Sequence, residues 1–260
     1  MGDKITFSFG KNWYKFLESI DENAINSALH DINRFLEPHE VKDKTAIDIG
    51  SGSGIHSLSF YRMKPKSLLS FDYDEFSVKA TTKVWEREGS PKDWEVKWGS
   101  ILDKTYVESL GKFDIVYSWG VLHHTGHMWD AINNASTLVK DGGMFFISIY
   151  QNVDEYDYDM TLKRKYNKSG YIGKKTMELQ WILRLMKNRW KVRENPFAWN
   201  EKRERGMTTY HDIVDWLGGL PYEVASEQQI NDFLIPKGFK LLSEDMRPSC
   251  AVYLFKKETK

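Results

Sequence analysis

The chain has 260 residues, which is enough for one large α/β domain with a hydrophobic core. Lysine plus arginine and aspartate plus glutamate each number 37, and this zero net charge argues against a protein that binds nucleic acid through its overall charge. The single cysteine, Cys250, excludes an internal disulfide and a cysteine-based zinc site, while a polar N-terminus and the lack of a long apolar run predict a cytoplasmic protein with no membrane partner.

The first segment, residues 1–44, predicts a helical and aromatic cap. An aromatic stretch at Phe7–Phe16 precedes a helix from about Glu22 to Leu36, in which apolar residues recur on one face. Trp13 lies in the aromatic stretch and is expected either to close over a bound ligand or to anchor the stretch to the core.

From Thr45 onward, short apolar strands alternate with amphipathic helices. Five strands are predicted in this core segment, residues 45–150: Thr45–Ile49, Ser67–Asp72, Trp94–Trp98, Phe113–Ser118 and Met144–Tyr150. Such alternation is typical of βαβ units and a parallel sheet. The last segment, residues 226–260, adds a helix at Ser226–Leu234 and two strands, Phe239–Asp245 and Ala251–Lys256. We therefore expect an α/β fold with a mostly parallel seven-stranded sheet, one antiparallel strand and helices on both faces.

Residues 151–225 break this alternation. The segment is helical in part (Lys174–Trp190) and too long for a loop within a sheet, so we expect a helical lid inserted after strand five over the acceptor. Between Thr161 and Arg205 it holds 14 lysines and arginines against four glutamates, although the chain is neutral as a whole.

A glycine turn follows the first predicted strand and opens a helix. Gly50, Gly52 and Gly54 stand at alternate positions, with Asp48 two residues before the first of them. Glycines here allow a tight turn, a close approach of the backbone to a ligand and close packing of helix on strand. The spacing differs from the G-x-G-x-x-G pattern of dinucleotide enzymes and resembles motif I of class I methyltransferases that use S-adenosylmethionine (SAM).

The resemblance continues through the next three strands in the same order and covers about Thr45–Tyr150 plus the final strands. It implies a Rossmann-like class I methyltransferase fold, SAM as the cofactor and S-adenosylhomocysteine as its product. Asp72, at the tip of strand two, would accept the ribose hydroxyls, whereas Asp74 is expected to cap the next helix. Ser100 stands where the family often has an acid, and backbone carbonyls near Ser118 and Trp119 would face the methionine amino group. The cofactor-binding residues implied in this way are Asp48, Gly50, Ser51, Gly52, Gly54, Asp72, Tyr73, Ser100, Ile101, Ser118 and Trp119.

Histidines follow strand four, at the carboxyl edge where open α/β sheets bind ligands. A histidine there can accept a hydroxyl proton near neutral pH, and we rank His124 ahead of His123 for this role. The alternative is that one histidine packs under the loop and the other caps a helix. Tyr210 and His211 are further candidates for the base or for acceptor contacts, with packing between lid and sheet as the alternative. No metal site is expected. The segment that holds Tyr210 and His211 resembles a lid segment of bacterial small-molecule methyltransferases related to ubiquinone- and sugar-tailoring enzymes.

The basic insertion predicts an anionic acceptor that bears a phosphate, a carboxylate or a sugar, with Arg203 and Arg205 as its candidate ligands. The alternative is an ordinary solvated helical face. The expected function is methyl transfer to an oxygen of a small molecule, and nucleic acid is not the expected partner. Two other functions are weighed: a nucleic-acid or protein methyltransferase that docks through the basic insertion, and a catalytically silent SAM-binding regulatory protein. The oligomeric state stays open.

Overall fold

The computed structural model describes residues 7, 9–10, 21–151, 156–197, 209–247 and 250–259. Seven strands lie in these ranges: β1 (Thr45–Ile49), β2 (Ser67–Asp72), β3 (Trp94–Trp98), β4 (Phe113–Trp119), β5 (Val139–Tyr150), β6 (Phe239–Met246) and β7 (Cys250–Lys257). They form one sheet in the order β3-β2-β1-β4-β5-β7-β6.

The first five strands are parallel, and β7 runs antiparallel to both of its neighbours, β5 and β6. The central strands are buried along almost their whole length, because both faces of a parallel sheet are covered by helices. The predicted seven-stranded, mostly parallel α/β fold with one antiparallel strand is confirmed.

Strand β5 begins earlier than the sequence predicts. The predicted strand starts at Met144, whereas Asp141–Gly143 also lies inside the observed strand, at a register shift between β4 and β5. Gly142 has a φ of +76°, which glycine adopts without strain.

Helices cover both faces of the sheet. Their bounds in the described ranges are α1 (Glu22–Asn33), α2 (Pro38–Val41), α3 (Ile55–Arg62), α4 (Glu75–Arg87), α5 (Lys104–Ser109), α6 (Met128–Thr137), α7 (Tyr156–Lys168), α8 (Tyr171–Lys191), α9 (Thr209–Gly218) and α10 (Glu227–Leu234). One apolar cluster holds α1, α3 and α4 against the sheet, and a second holds α5, α6 and α10.

Helix starts follow their capping residues. The Asp74 side chain accepts a hydrogen bond of 2.8 Å from the Phe76 N–H, which confirms its predicted role as the cap of α4. Ser226 and Gln229 form a reciprocal capping box at the start of α10.

Three helices, α7, α8 and α9, follow β5 and pack on one another through Tyr166, Met177, Ile213 and Leu217. Lys163 is buried among them, where its Nζ donates to the Trp216 carbonyl oxygen. The described part of the insertion is thus helical, as predicted, and its role as a lid stays a prediction. Within the ranges given above, no helix is both long and apolar enough to cross a bilayer.

Candidate active site

A cavity of about 1450 Å³ opens at the carboxyl ends of β1, β2 and β4. The strand order places β2 on one side of β1 and β4 on the other. The strand order therefore reverses at β1, which makes this edge a topological switch point. Open α/β sheets bind their ligands at such a crevice. Helices α8 and α9 form the opposite wall.

The glycine turn after β1 forms the floor of the cavity. Gly50 has a φ of +77°, and a Cβ atom there would lie 2.4 Å from both Cγ atoms of Val121, in the loop after β4. At Gly54, with a φ of +80°, a Cβ would lie 2.9 Å from the Thr81 backbone on α4. Both positions therefore require glycine for two reasons, the backbone conformation and the close approach of a neighbouring segment.

Asp72 ends β2 at the cavity wall. One of its carboxylate oxygens accepts the Gly52 N–H at 2.9 Å, and the other accepts the Asp74 N–H at 2.8 Å. Burial raises the pKa of Asp72 to about 6, although the backbone hydrogen bonds oppose that shift. Each carboxylate oxygen can accept a further hydrogen bond, so the group is held ready for a pair of hydroxyl donors.

Three of the predicted cofactor-binding residues, Tyr73, Ser100 and Ile101, line the same cavity. The Tyr73 side chain is 70% exposed, and the Trp98 indole donates to its carbonyl oxygen at 2.9 Å. Ile101 is buried, and the Ser100 hydroxyl accepts the Leu102 N–H at 3.2 Å. An exposed aromatic ring and an aliphatic side chain are suitable surfaces for a flat heterocycle.

Two predicted cofactor residues lie outside the cavity lining. The Asp48 carboxylate is buried behind the glycine turn, where it accepts the Ser57 hydroxyl at 2.5 Å. The Ser118 hydroxyl donates to the Ile49 carbonyl oxygen at 3.0 Å. Both side chains hold the end of β1 in place from within the core, and the roles expected of Asp48 and of the Ser118 carbonyl toward a cofactor stay predictions. Ser51 and Trp119, in contrast, line the cavity.

Asp48 on β1 is the last residue in a chain of buried hydrogen bonds that begins on β3 and passes through β2 and α3. The Trp94 indole donates to the Ser70 hydroxyl at 2.9 Å, and Ser70 donates to Ser57 at 2.9 Å. Burial raises the pKa of Asp48 to about 7. The chain fixes the strand that leads into the glycine turn.

His123 and His124 both line the cavity, in a short 3-10 turn directly after β4. The Nδ1 of His124 lies 2.6 Å from the Pro221 carbonyl oxygen; because a carbonyl only accepts, that Nδ1 carries a proton. In fully buried His123 the Nδ1 instead accepts the Tyr150 N–H at 3.3 Å, so its proton lies on Nε2. Of these two histidines, it is therefore His124 that holds its lone pair on Nε2 when it is neutral.

Tyr210 and His211 lie outside the cavity lining, which differs from the expectation. Helix α9 presents a different face to the cavity, formed by Thr209, Asp212, Ile213, Asp215 and Trp216. The Tyr210 hydroxyl donates to Glu178 at 2.7 Å and accepts from Lys175 at 2.5 Å. It thus ties α9 to α8.

The charge of the lining also differs from the expectation. Among the residues that the structure describes, five acids and no lysine or arginine line the cavity; the acids are Asp72, Asp74, Glu75, Asp212 and Asp215. Arg203, Arg205 and Trp13 lie outside the described residues. The described part of the basic insertion therefore does not turn its charge toward the cavity.

Several cavity residues escaped the sequence interpretation. Trp181 and Trp216 stack at a centroid distance of 4.4 Å, and the rings of Phe9 and Tyr150 lie 4.7 Å and 5.2 Å from that of His124. For α8, helical spacing could have predicted which residues face the cavity, because Trp181 and Leu185 are four residues apart and both line it. The wall beside His124 is thus aromatic and apolar.

Comparison with known proteins identifies a family that matches this chain. A family model described as a methyltransferase domain matches residues 20–200. That match covers most of the chain, including the glycine turn, Asp72 and both histidines.

The names of similar proteins refer to different kinds of acceptor. The tRNA U34 carboxymethyltransferase of Wolinella succinogenes is 28% identical over 142 residues, which cover 53% of this chain and 48% of that protein. The ubiquinone biosynthesis O-methyltransferase of Chromobacterium violaceum is 27% identical over 142 residues, which cover 52% of this chain and 60% of the relative. The matched part thus spans about half to three fifths of these relatives' own length.

Among solved structures, PKMT2 from Rickettsia typhi in complex with AdoHcy superimposes with a TM-score of 0.60 at 16% identity. The superposition covers 97% of this chain and 54% of the other. At this level of identity the likeness shows a shared fold.

Proposed function

Because this chain belongs to the family of methyltransferase domains, we propose that it binds SAM and transfers its methyl group to a small-molecule acceptor, leaving S-adenosylhomocysteine. The observation that carries the proposal is the arrangement of Asp72. Its carboxylate is fixed by two backbone N–H groups at the wall of a cavity whose floor is the glycine turn.

The residues at this edge fit the parts of SAM. Asp72 can accept both ribose hydroxyls, since each of its oxygens retains acceptor capacity. Tyr73 and Ile101 offer surfaces for the adenine, and the open backbone at Gly50 and Gly52 lets the ligand approach closely. The loop through Trp119 and Gly120 lies where the methionine part would end.

When bound, SAM supplies an electrophilic methyl group on a sulfonium. The chain's own work is to align the acceptor with that methyl group, exclude water and receive the acceptor's proton. His124 suits the last task for a hydroxyl acceptor, because its protonated Nδ1 is bound to Pro221 and its lone pair lies on Nε2. With SAM bound, His124 would take the proton of the acceptor hydroxyl as the methyl group passes from sulfur to that oxygen.

The size of the cavity supports a small acceptor. Ligand pockets are typically about 300–1,000 Å³, so a cavity of about 1450 Å³ holds the cofactor and a second small molecule. The aromatic wall of Trp181 and Trp216 would cover that molecule and keep water away from it. The acidic lining favours a neutral or positively charged acceptor, and the described residues give no support to the anionic acceptor expected from the sequence.

A macromolecular acceptor is the second candidate. The observation in its favour is the charge of residues 156–197, which hold eleven lysines and arginines and four acids. A nucleic acid or protein that docked there would bind with a strong dependence on salt. A catalytically silent SAM-binding protein is the third candidate.

The proposal is tested by incubating the full chain with methyl-labelled SAM and a cell extract separated into small-molecule, nucleic-acid and protein fractions. Asp72→Asn serves as the binding-deficient variant, and Asp157→Asn, an exposed acid on α7, as its matched control. Label in the small-molecule fraction that persists in the control and is lost with Asp72→Asn is the expected result. Label in a macromolecular fraction supports the second candidate, and SAM binding without any transfer supports the third.

A further inference from the structure

Helix α8 carries an exposed apolar stripe on the side turned away from the cavity. Its members and their exposures are Ile172 (80%), Leu179 (54%), Leu183 (55%) and Trp190 (75%). Their spacings of seven, four and seven residues place them on one face of a helix, over a length of about 27 Å. We call these four residues the outer stripe.

The opposite side of α8 makes the contacts that hold the helix against the rest of the protein. Trp181 and Leu185 line the cavity, and buried Met177 packs against α7 and α9. A surface helix of a globular protein normally turns a polar face to water. Packing within the described core therefore does not explain why these four apolar residues lie on the surface.

The charges beside the stripe are positive. Helix α8 contains one acid, Glu178, and six basic residues: Lys174, Lys175, Arg184, Lys187, Arg189 and Lys191. Glu178 is buried and bonded to Lys175, and Arg189 is buried as well, so the charged side chains of α8 that reach the surface are cations. A partner of this face must accept aliphatic side chains and also present negative charge.

We infer that the outer stripe docks on the surface of a bilayer that contains anionic phospholipid, in contrast to the expectation from the sequence that the protein has no membrane partner. Leucine, isoleucine and tryptophan on one side of a helix, with lysine and arginine beside them, are typical of helices that lie in the membrane interface. The leucines would enter the acyl boundary, Trp190 would lie at the headgroup level, and Lys187 and Lys191 would reach the phosphates.

Two other partners fit the face less well. A second copy of the chain would bring two strongly basic helices together, and like charges at an interface repel. A nucleic acid would satisfy the lysines but not the aliphatic side chains, because protein–nucleic acid interfaces are polar. The inference does not depend on methyl transfer, although α8 would bring the cavity close to the membrane interface.

The test is co-sedimentation of the full chain with vesicles of phosphatidylcholine alone or of equimolar phosphatidylcholine and phosphatidylglycerol. We expect binding only to the anionic vesicles and its loss at high salt. Leu179→Ser with Leu183→Ser should weaken binding roughly tenfold or more, because two leucines lose their buried area. The matched control is Ile235→Ser with Leu242→Ser, which changes two exposed apolar residues elsewhere.

A second pair separates charge from apolar contact. Lys187→Gln with Lys191→Gln should also weaken binding roughly tenfold, whereas Lys104→Gln with Lys240→Gln, exposed lysines outside the insertion, should not. Circular dichroism and the affinity for S-adenosylhomocysteine verify that every variant is folded. Equal binding to both vesicle types, or an unchanged affinity of the leucine variant, would overturn the inference. So would a dimer in solution that the leucine variant converts to a monomer, or short RNA that binds through the same residues.

Discussion

The Nδ1 atom of His124 lies 2.6 Å from the backbone carbonyl oxygen of Pro221, a residue 97 positions further along the chain. This contact joins the loop after β4 to the segment that follows α9. It fixes both the orientation of the imidazole and the nitrogen that carries its proton. The segment that follows α9 thus helps to orient the histidine that we propose as the base.

His124→Ala should lower the rate of label transfer to a hydroxyl acceptor by about 10²- to 10⁴-fold, the usual contribution of a general base. The affinity for S-adenosylhomocysteine should stay the same, because the proposed role of His124 is toward the acceptor and not toward the cofactor. Single-turnover rates and titration calorimetry measure the two quantities. Tyr210→Phe and His211→Ala are the matched controls and should retain full rates, since both residues lie outside the cavity lining. A full rate in His124→Ala would remove the base assignment.

Gly50→Ala should destabilise the fold more than Gly89→Ala. Both glycines have positive φ, at +77° and +87°, so each substitution costs about 1–2 kcal/mol of backbone strain. Only Gly50 also faces a close neighbour, Val121, whereas a Cβ at Gly89 meets nothing within 4 Å. Urea unfolding gives both free energies, and their difference isolates the contact. Val121→Ala should recover part of that difference; equal losses at Gly50 and Gly89 would show that the two loops do not approach as closely as described.

Asp48→Asn should change how stability depends on pH. Burial raises the folded pKa of Asp48 from 3.8 to about 7, so the folded state binds more protons than the unfolded state between these values. The contribution of Asp48 to the free energy of unfolding therefore falls as pH rises through this window, by an amount on the order of a few kcal/mol.

The measurement is urea unfolding of both proteins at a series of pH values from about 5 to 8, a range that brackets the folded pKa. The difference between wild type and variant cancels the titrating groups that do not interact with Asp48; Asp72 is not among these, because its charge contributes to the raised pKa of Asp48. We expect the variant to gain stability relative to wild type as pH rises. A constant difference would mean that Asp48 is not buried as a titrating acid.

The sheet and the cofactor edge could be predicted because their signals are local. Strands such as Thr45–Ile49 and Ser67–Asp72 are short apolar runs, and their bounds match the prediction. Asp72 follows from its place at the tip of a strand, since all parallel strands end at the same edge.

The acceptor side could not be predicted in the same way. Which face of α9 meets the cavity depends on how the helix docks, and that docking put Asp212 and Trp216 inside and left Tyr210 to bind Glu178. The basic residues of the insertion were equally ambiguous, because composition does not tell an inward charge from an outward one. The bond from His124 to Pro221 joins segments too distant in sequence for any spacing rule.

The most direct test of the central claim is titration calorimetry of S-adenosylhomocysteine with the full chain, with Asp72→Asn, and with the control Asp157→Asn. Loss of charge-assisted hydrogen bonds to the ribose should weaken binding to Asp72→Asn by about 10- to 100-fold, while the control should bind like wild type. Wild-type affinity in Asp72→Asn, or no binding to the folded wild-type chain, would contradict the assignment of this cavity as a SAM site.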